Sequence, residues 1–185
     1  LGSAQEIQQL LIPKNAPNIP NLEITAKTRP ASEIGGDTFD FYIKNNRNLF
    51  YIGDSTGHGI PAGIVMVMVD ALLETFIIIE ESLSTMIVKL NQFLKPHLKP
   101  TMFMTMILLE WLPVEKKLKW VGAGHEYIIH VHTKENNVET IKAGGLAVGM
   151  LPDNSKWVHE QEMMLNENDF VVLYSDGIVE AKNIN

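Results

Sequence analysis

Three aspartates stand beside glycine where strands are expected to end. Asp37 follows Gly35-Gly36, Asp54 lies between Gly53 and Ser55, and Asp176 precedes Gly177. Glycine lets a backbone turn sharply and come close to a ligand. In that setting a main-chain carbonyl, such as that of Ser55, can join carboxylates around a cation. The first two aspartates are linked by one hairpin. Asn45-Asn46 is its expected turn, because asparagine tolerates the positive φ of tight hairpin turns. Centring the turn there pairs Phe41 with Phe50, Phe39 with Ile52, and Asp37 with Asp54. Directly opposed residues place their Cβ atoms about 4.5–5.5 Å apart, and like charges there are destabilising. A shared Mg²⁺ or Mn²⁺ relieves that repulsion, since both ions prefer oxygen ligands. The ordinary alternative is a set of strand-end aspartates in turns.

Gly53-Asp54-Ser55-Thr56-Gly57 also fits G-x-S-x-G, which makes Ser55 a candidate nucleophile of a serine hydrolase. Its context is poor. The preceding strand enters from a tight hairpin, no HGGG-type oxyanion segment lies upstream, and only His159 follows a later aspartate such as Asp153. The other histidines suggest less. His58 sits in the glycine loop and His97 between prolines. His125 ends a tight bend, where a structural hydrogen bond is expected. His130 and His132 share a strand face with Ile128, which is expected to be exposed, although the pair could take a stray metal. Met66, Met68, Met102, Met104 and Met106 read as core filler. Arg29 reads as a surface residue, with contact to an anionic substrate as its alternative.

The 185 residues suit one domain with a sizeable core. The net charge of −7 without a basic run argues against nucleic acid as a partner. The absence of cysteine removes disulfides, thiolate metal sites and cysteine nucleophiles. The apolar run Gly59 to Val69 stops at Asp70 and is read as too short to span a membrane. No signal peptide is apparent. A cytoplasmic domain is expected.

The elements that must position the aspartates follow from the patterning. Ala4 to Ile12 reads as a short amphipathic helix, and Asn21 to Thr28 as a first strand. A helix from about Pro61 to Ile79 is apolar all round and expected to be buried on most sides. A second helix covers about Ser84 to Lys95, capped by Ser82 or Ser84. Strands then run over Met102 to Leu109, Lys117 to Gly122, Glu126 to Thr133 and Val138 to Ala143. Trp157 to Leu165 and Asp169 to Ser175 read as a hairpin around Asn166-Glu167-Asn168. The run Val171-Val172-Leu173-Tyr174 is expected to be central and covered on both faces. Eight or nine strands in hairpin order with two or three helices favour antiparallel sheets with helices outside.

Taken together, the motifs resemble the SpoIIE-like, RsbU-type branch of the PPM (2C-like) metal-dependent serine/threonine phosphatases. The resemblance rests on Arg29-Pro30-Ala31 leading to Ile34-Gly35-Gly36-Asp37, and on Gly53-Asp54-Ser55-Thr56-Gly57-His58-Gly59 with its following helix. Ala123-Gly124-His125, Gly145-Leu146-Ala147-Val148-Gly149 and Leu173-Tyr174-Ser175-Asp176-Gly177 continue it. Ile7 to Pro13 resembles the family's leading helix.

This resemblance implies an α+β fold: a PPM-type β-sandwich of two antiparallel sheets flanked by helices, over residues 21–185, after a helix and linker over 1–20. It implies two Mn²⁺ or Mg²⁺ ions, with Asp54 bridging them. Asp37 and the Ser55 carbonyl would hold one ion and Asp176 the other. The family's last metal aspartate lies in an Asp-Asp pair that has no counterpart up to Asn185, so the resemblance implies either a domain that continues past Asn185 or one metal site left incomplete. The implied activity is hydrolysis of phosphoserine or phosphothreonine by a metal-activated hydroxide. The implied substrate is a phosphorylated anti-sigma-factor antagonist in bacterial partner switching. The leading helix would join an upstream sensor domain and mediate dimerisation. A second reading is a metal-poor relative that only binds a regulatory partner.

Overall fold

The computed structural model describes residues 12–29, 35–79 and 82–180. The expected helix from Ala4 lies almost wholly outside them. Strands β1 (Asp37–Lys44) and β2 (Arg47–Ser55) form the expected hairpin. Asn45 and Asn46 take φ of 51° and 60°, the left-handed values this turn requires. The register follows from it: Asp37 faces Asp54, Phe39 faces Ile52 and Phe41 faces Phe50.

Helix α1 (Ile60–Ile78) and helix α2 (Leu83–His97) come next, then β3 (Met104–Leu112), β4 (Lys117–Ala123), β5 (Tyr127–His132) and β6 (Asn137–Lys142). A single 3₁₀ turn at Ser155–Trp157 precedes β7 (Glu160–Met164), β8 (Phe170–Val172) and the one-turn helix α3 (Asp176–Val179). Among the described residues the strands form two sheets, ordered β1-β2-β3-β4-β7 and β6-β5-β8.

β3 is the middle strand of the larger sheet and explains why there are two cores. Met104, Met106 and Leu108 face the helices, where they meet Val65, Val69, Leu73, Leu90 and Leu94. Ile107, Leu109 and Trp111 face the smaller sheet, with Trp120 and Ile128. Residues alternate between faces along a strand, so a nearly continuous apolar run serves both cores.

α1 is rich in β-branched residues, which are mediocre helix formers. Burial outweighs this, because each enclosed large apolar side chain contributes about 1.5–3 kcal/mol. Val65, Val69, Leu73 and Ile77 are all enclosed. The expectation of burial on most sides is corrected, since Ile60, Ile64 and Val67 form an exposed stripe. The helix also runs past Asp70. By length and composition its 19 residues would suit a membrane span; in the fold they pack on β1 and β2. Asp70 is accommodated because the Tyr42 hydroxyl donates to its carboxylate.

α2 begins at Ser82, whose Oγ accepts the Thr85 N–H at 3.2 Å. Its Asn91 is wholly enclosed. Asn91 Oδ1 accepts the Gly149 N–H at 2.8 Å, and Nδ2 donates to the Leu151 carbonyl at 3.1 Å. Asn91→Ala leaves both backbone groups unpaired and is expected to cost about 2–4 kcal/mol. A lower urea midpoint with an unchanged slope checks this.

Three expected elements differ. Residues 23–29 form no ladder, although Leu22 and Ile24 pack on the inter-sheet core. Their alternation reports side-chain burial, not strand pairing. β7 and β8 are not a hairpin, because the 166–168 turn carries the chain from one sheet to the other. β8 is not central: among the described residues it pairs only with β5, and Phe170 and Val172 are exposed.

Candidate metal centre

The hairpin turn fixes the first two members of the site. It places Asp37 at the start of β1 opposite Asp54 near the end of β2. Their side chains share the face of Phe50 and Ile52, which pack toward the smaller sheet. The third member arrives from the far end of the chain. One carboxylate oxygen from each of Asp37, Asp54 and Asp176 lies within 4.8 Å of the other two.

His125 helps tie the third aspartate in. Its Nε2 donates to the Tyr174 carbonyl at 3.1 Å, two residues before Asp176. A carbonyl only accepts, so the ring proton is on Nε2 and Nδ1 is free to accept. The Thr105 hydroxyl donates to Nδ1 at 2.9 Å, and Thr105 pairs with Asp54 in the β2–β3 ladder. Burial, the largest influence, pushes His125 down to about 4, so the ring is neutral as this arrangement needs. Ser175 gives a hydrogen bond to Asp37, a further link between the two ends. The sequence marked His125 as structural; its part in presenting Asp176 has no local signal.

The three carboxylates burden one another. Asp54 is pushed up to about 6, mostly by burial, then by the charges of Asp37 and Asp176. Asp37 is raised by burial and by Asp176, against the hydrogen bond from Ser175. Asp37 Oδ1 is buried with no partner among the described residues. The backbone also comes close at Gly36: a Cβ there would lie 2.4 Å from the Ser55 carbonyl oxygen and 2.6 Å from Asp54 Oδ1, so no side chain can intrude between them. Hard oxygen donors, an orphaned carboxylate oxygen and a cradle bare of side chain fit Mg²⁺ or Mn²⁺.

The other candidates do not join this group. Ser55 Oγ is buried and has no hydrogen-bond partner among the described residues, which include all six histidines, so no histidine activates it. That removes the hydrolase reading, which needs a base within reach. His58 and Arg29 are exposed. His130 corrects an expectation: it is 2% exposed and bonds to Asp169, because its face of β5 is the inner one.

The sequence model of Stage II sporulation protein E (SpoIIE) matches residues 44–185. The chain belongs to the SpoIIE family. Phosphoserine phosphatase RsbU of Bacillus subtilis (strain 168) is 30% identical over 187 residues, covering 98% of the chain and 54% of the relative. The chain thus spans about half of that protein. The SiaA-PP2C domain of Pseudomonas aeruginosa superposes with a TM-score of 0.72 at 17% identity, over 95% of this chain and 70% of that one. The RsbU and RsbW domains of a Mycobacterium tuberculosis protein give 0.68 at 22% identity, over 87% and 42%. These likenesses show the PP2C-type fold, an α+β arrangement of two antiparallel sheets with helices outside. For a SpoIIE-family chain the aspartate cluster is therefore the first place to look for chemistry.

Proposed function

We propose that this SpoIIE-family domain removes phosphate from phosphoserine or phosphothreonine on a regulatory protein, using Mg²⁺ or Mn²⁺ held at Asp37, Asp54 and Asp176. The observation that carries the reading is the mutual approach of three carboxylate oxygens within 4.8 Å. The kinship to a protein named a phosphoserine phosphatase supports it. A divalent ion supplies positive charge for phosphoryl oxygens and acidifies bound water.

The chain's own residues divide the remaining work. Asp54, which faces Asp37 across the hairpin and has Asp176 within reach, is the member we assign to be shared, as the family resemblance implies. Asp37 brings its orphaned Oδ1, and the Ser55 carbonyl borders the same cradle. His125 and Thr105 position Asp176. Water is the nucleophile in this reading, which agrees with the absence of cysteine and the enclosure of Ser55 Oγ. The substrate class we favour is a phosphorylated anti-sigma-factor antagonist, in a cytoplasmic switching system. Residues 1–20 would connect residues 21–185 to a sensor and support a dimer.

Phosphate release from a phosphoserine protein of that class tests this. Release with Mn²⁺ that stops on adding EDTA is expected. Binding of the phosphoprotein without any release in saturating Mn²⁺ overturns the enzymatic reading and leaves a binding module.

A further inference from the structure

The opposite end of the inter-sheet core carries a second group of metal-ligating side chains. His130 and His132 lie two apart on β5 and so point to the same side. Ile128, two residues earlier, is enclosed in the inter-sheet core, so that side faces inward. The two imidazole rings have centroids 3.8 Å apart. Glu139 on β6 is registered opposite His130, and its Oε2 lies 3.3 Å from His132 Nε2. One ligand atom from each of His130, His132 and Glu139 falls within 4.8 Å of the other two.

Asp169 stands behind this group. Oδ2 accepts from the Asn166 N–H at 2.9 Å and from His130 Nε2 at 3.1 Å, and Oδ1 accepts from the Thr133 N–H at 3.3 Å. Three donors hold it as a carboxylate and take three of its roughly four lone-pair sites; one of its oxygens also lies within 4.8 Å of ligand atoms of His132 and Glu135. Its contact with His130 Nε2 orients that ring and leaves Nδ1 as the nitrogen that can ligate. A carboxylate behind a histidine is the usual outer support of a metal-bound imidazole. The support is rigid, since the Asp169 side chain is fully enclosed and that of His130 is 3% exposed. His132 and Glu139 are more open, at 22% and 56%. A recess of about 420 Å³ between the 133–135 and 166–168 turns gives access nearby.

We propose that His130, His132 and Glu139 form a site for a divalent transition ion of the Zn²⁺ class, separate from the aspartate cluster. Two imidazoles and one carboxylate suit Zn²⁺, which binds nitrogen at about 2.0–2.1 Å and leaves a fourth position for water. They suit Mg²⁺ poorly, because that ion prefers oxygen and keeps its own waters. The ion binds where His132 Nε2 and Glu139 Oε2 face each other at 3.3 Å. The two ends do not overlap. His132 is about 16 Å along β5 from Tyr127, at roughly 3.3 Å per residue, and β5 begins just after His125.

Zn²⁺ affinity of the whole chain, measured against a chromophoric chelator in excess Mg²⁺, tests the assignment. One Zn²⁺ per chain is expected, retained in Asp54→Asn. Both His132→Ala and Glu139→Gln weaken it at least tenfold, with thermal melts showing that each variant folds. Co²⁺ in place of Zn²⁺ gives a visible absorption band that His132→Ala removes. Native-like Zn²⁺ affinity in either folded variant, or loss of binding in Asp54→Asn, overturns the site. Glu139 is exposed enough that its variant keeps the test valid should His132→Ala fail to fold.

Discussion

Asp54→Asn is expected to lower Mn²⁺-dependent phosphate release by on the order of a hundred- to a thousandfold, and at the same time to make the metal-free protein more stable. The two effects share one cause. The Asp54 carboxyl stands at about 6, against an ordinary 3.8, through burial and then the charges of Asp37 and Asp176. The folded chain therefore binds more protons than the unfolded chain between those values. Stability fully present below about pH 4 is lost as pH rises through about 6. Asparagine has no proton to lose, so at pH 7 the variant gains on the order of 1–3 kcal/mol. Melts in EDTA from pH 5 to 8 read this directly. The native chain loses stability across the range, and the variant loses less. Saturating Mn²⁺ reverses the order, because an ion that binds only the folded native chain raises its melting temperature. Unchanged phosphate release, or a variant less stable than the native chain in EDTA at pH 7, contradicts the role given to Asp54.

That result depends on a juxtaposition the sequence showed only in part. Asp37 and Asp54 were legible because a two-residue turn fixes every pairing back to the strand ends. Asn45-Asn46 carries the positive φ that selects the turn, and a one-residue slip would exchange the two faces of the hairpin. Asp176 was different. Its place before Gly177 marked it as a candidate, but more than a hundred residues separate it from Asp54, and only the resemblance to a family joined it to the hairpin pair. In the fold the connection runs through His125 and Thr105, and no local pattern announces it.

The same contrast explains the errors at the C-terminal end. The 166–168 turn was legible, and Asn168 does take a φ of 68°. Turn chemistry states that a chain bends, not which sheet receives it afterwards. β7 therefore pairs with β4 and β8 with β5. His130 was misplaced for a related reason. Its parity with Ile128 already put it on the inner face, but polarity argued for the outer one. The partner that permits its burial, Asp169, lies 39 residues on. Periodicity can assign a face, but only tertiary contacts supply the hydrogen bond that makes a buried imidazole tolerable.

Gly36→Ala is the sharper test of the metal centre, because it adds one methyl group and removes no ligand. The added Cβ would lie 2.4 Å from the Ser55 carbonyl oxygen and 2.6 Å from Asp54 Oδ1. The backbone cannot easily move aside, since the Ser55 N–H donates to the Gly36 carbonyl at 3.1 Å. Asp54 must then swing away, or the two oxygens must part. Overpacking of this kind costs about 1–3 kcal/mol, which leaves a folded protein. Its larger effect falls on the cradle, where we expect at least a hundredfold weaker Mn²⁺ binding and a matching loss of phosphate release at fixed Mn²⁺. Raising Mn²⁺ recovers part of that loss, as it does not for Asp54→Asn. Gly177→Ala is the control. It sits beside Asp176 yet meets nothing nearer than Asp37 Oδ2 at 4.0 Å, so its loss should be at least tenfold smaller. Equal losses in the two glycine variants would mean that backbone freedom, and not space for an ion, is what Gly36 provides.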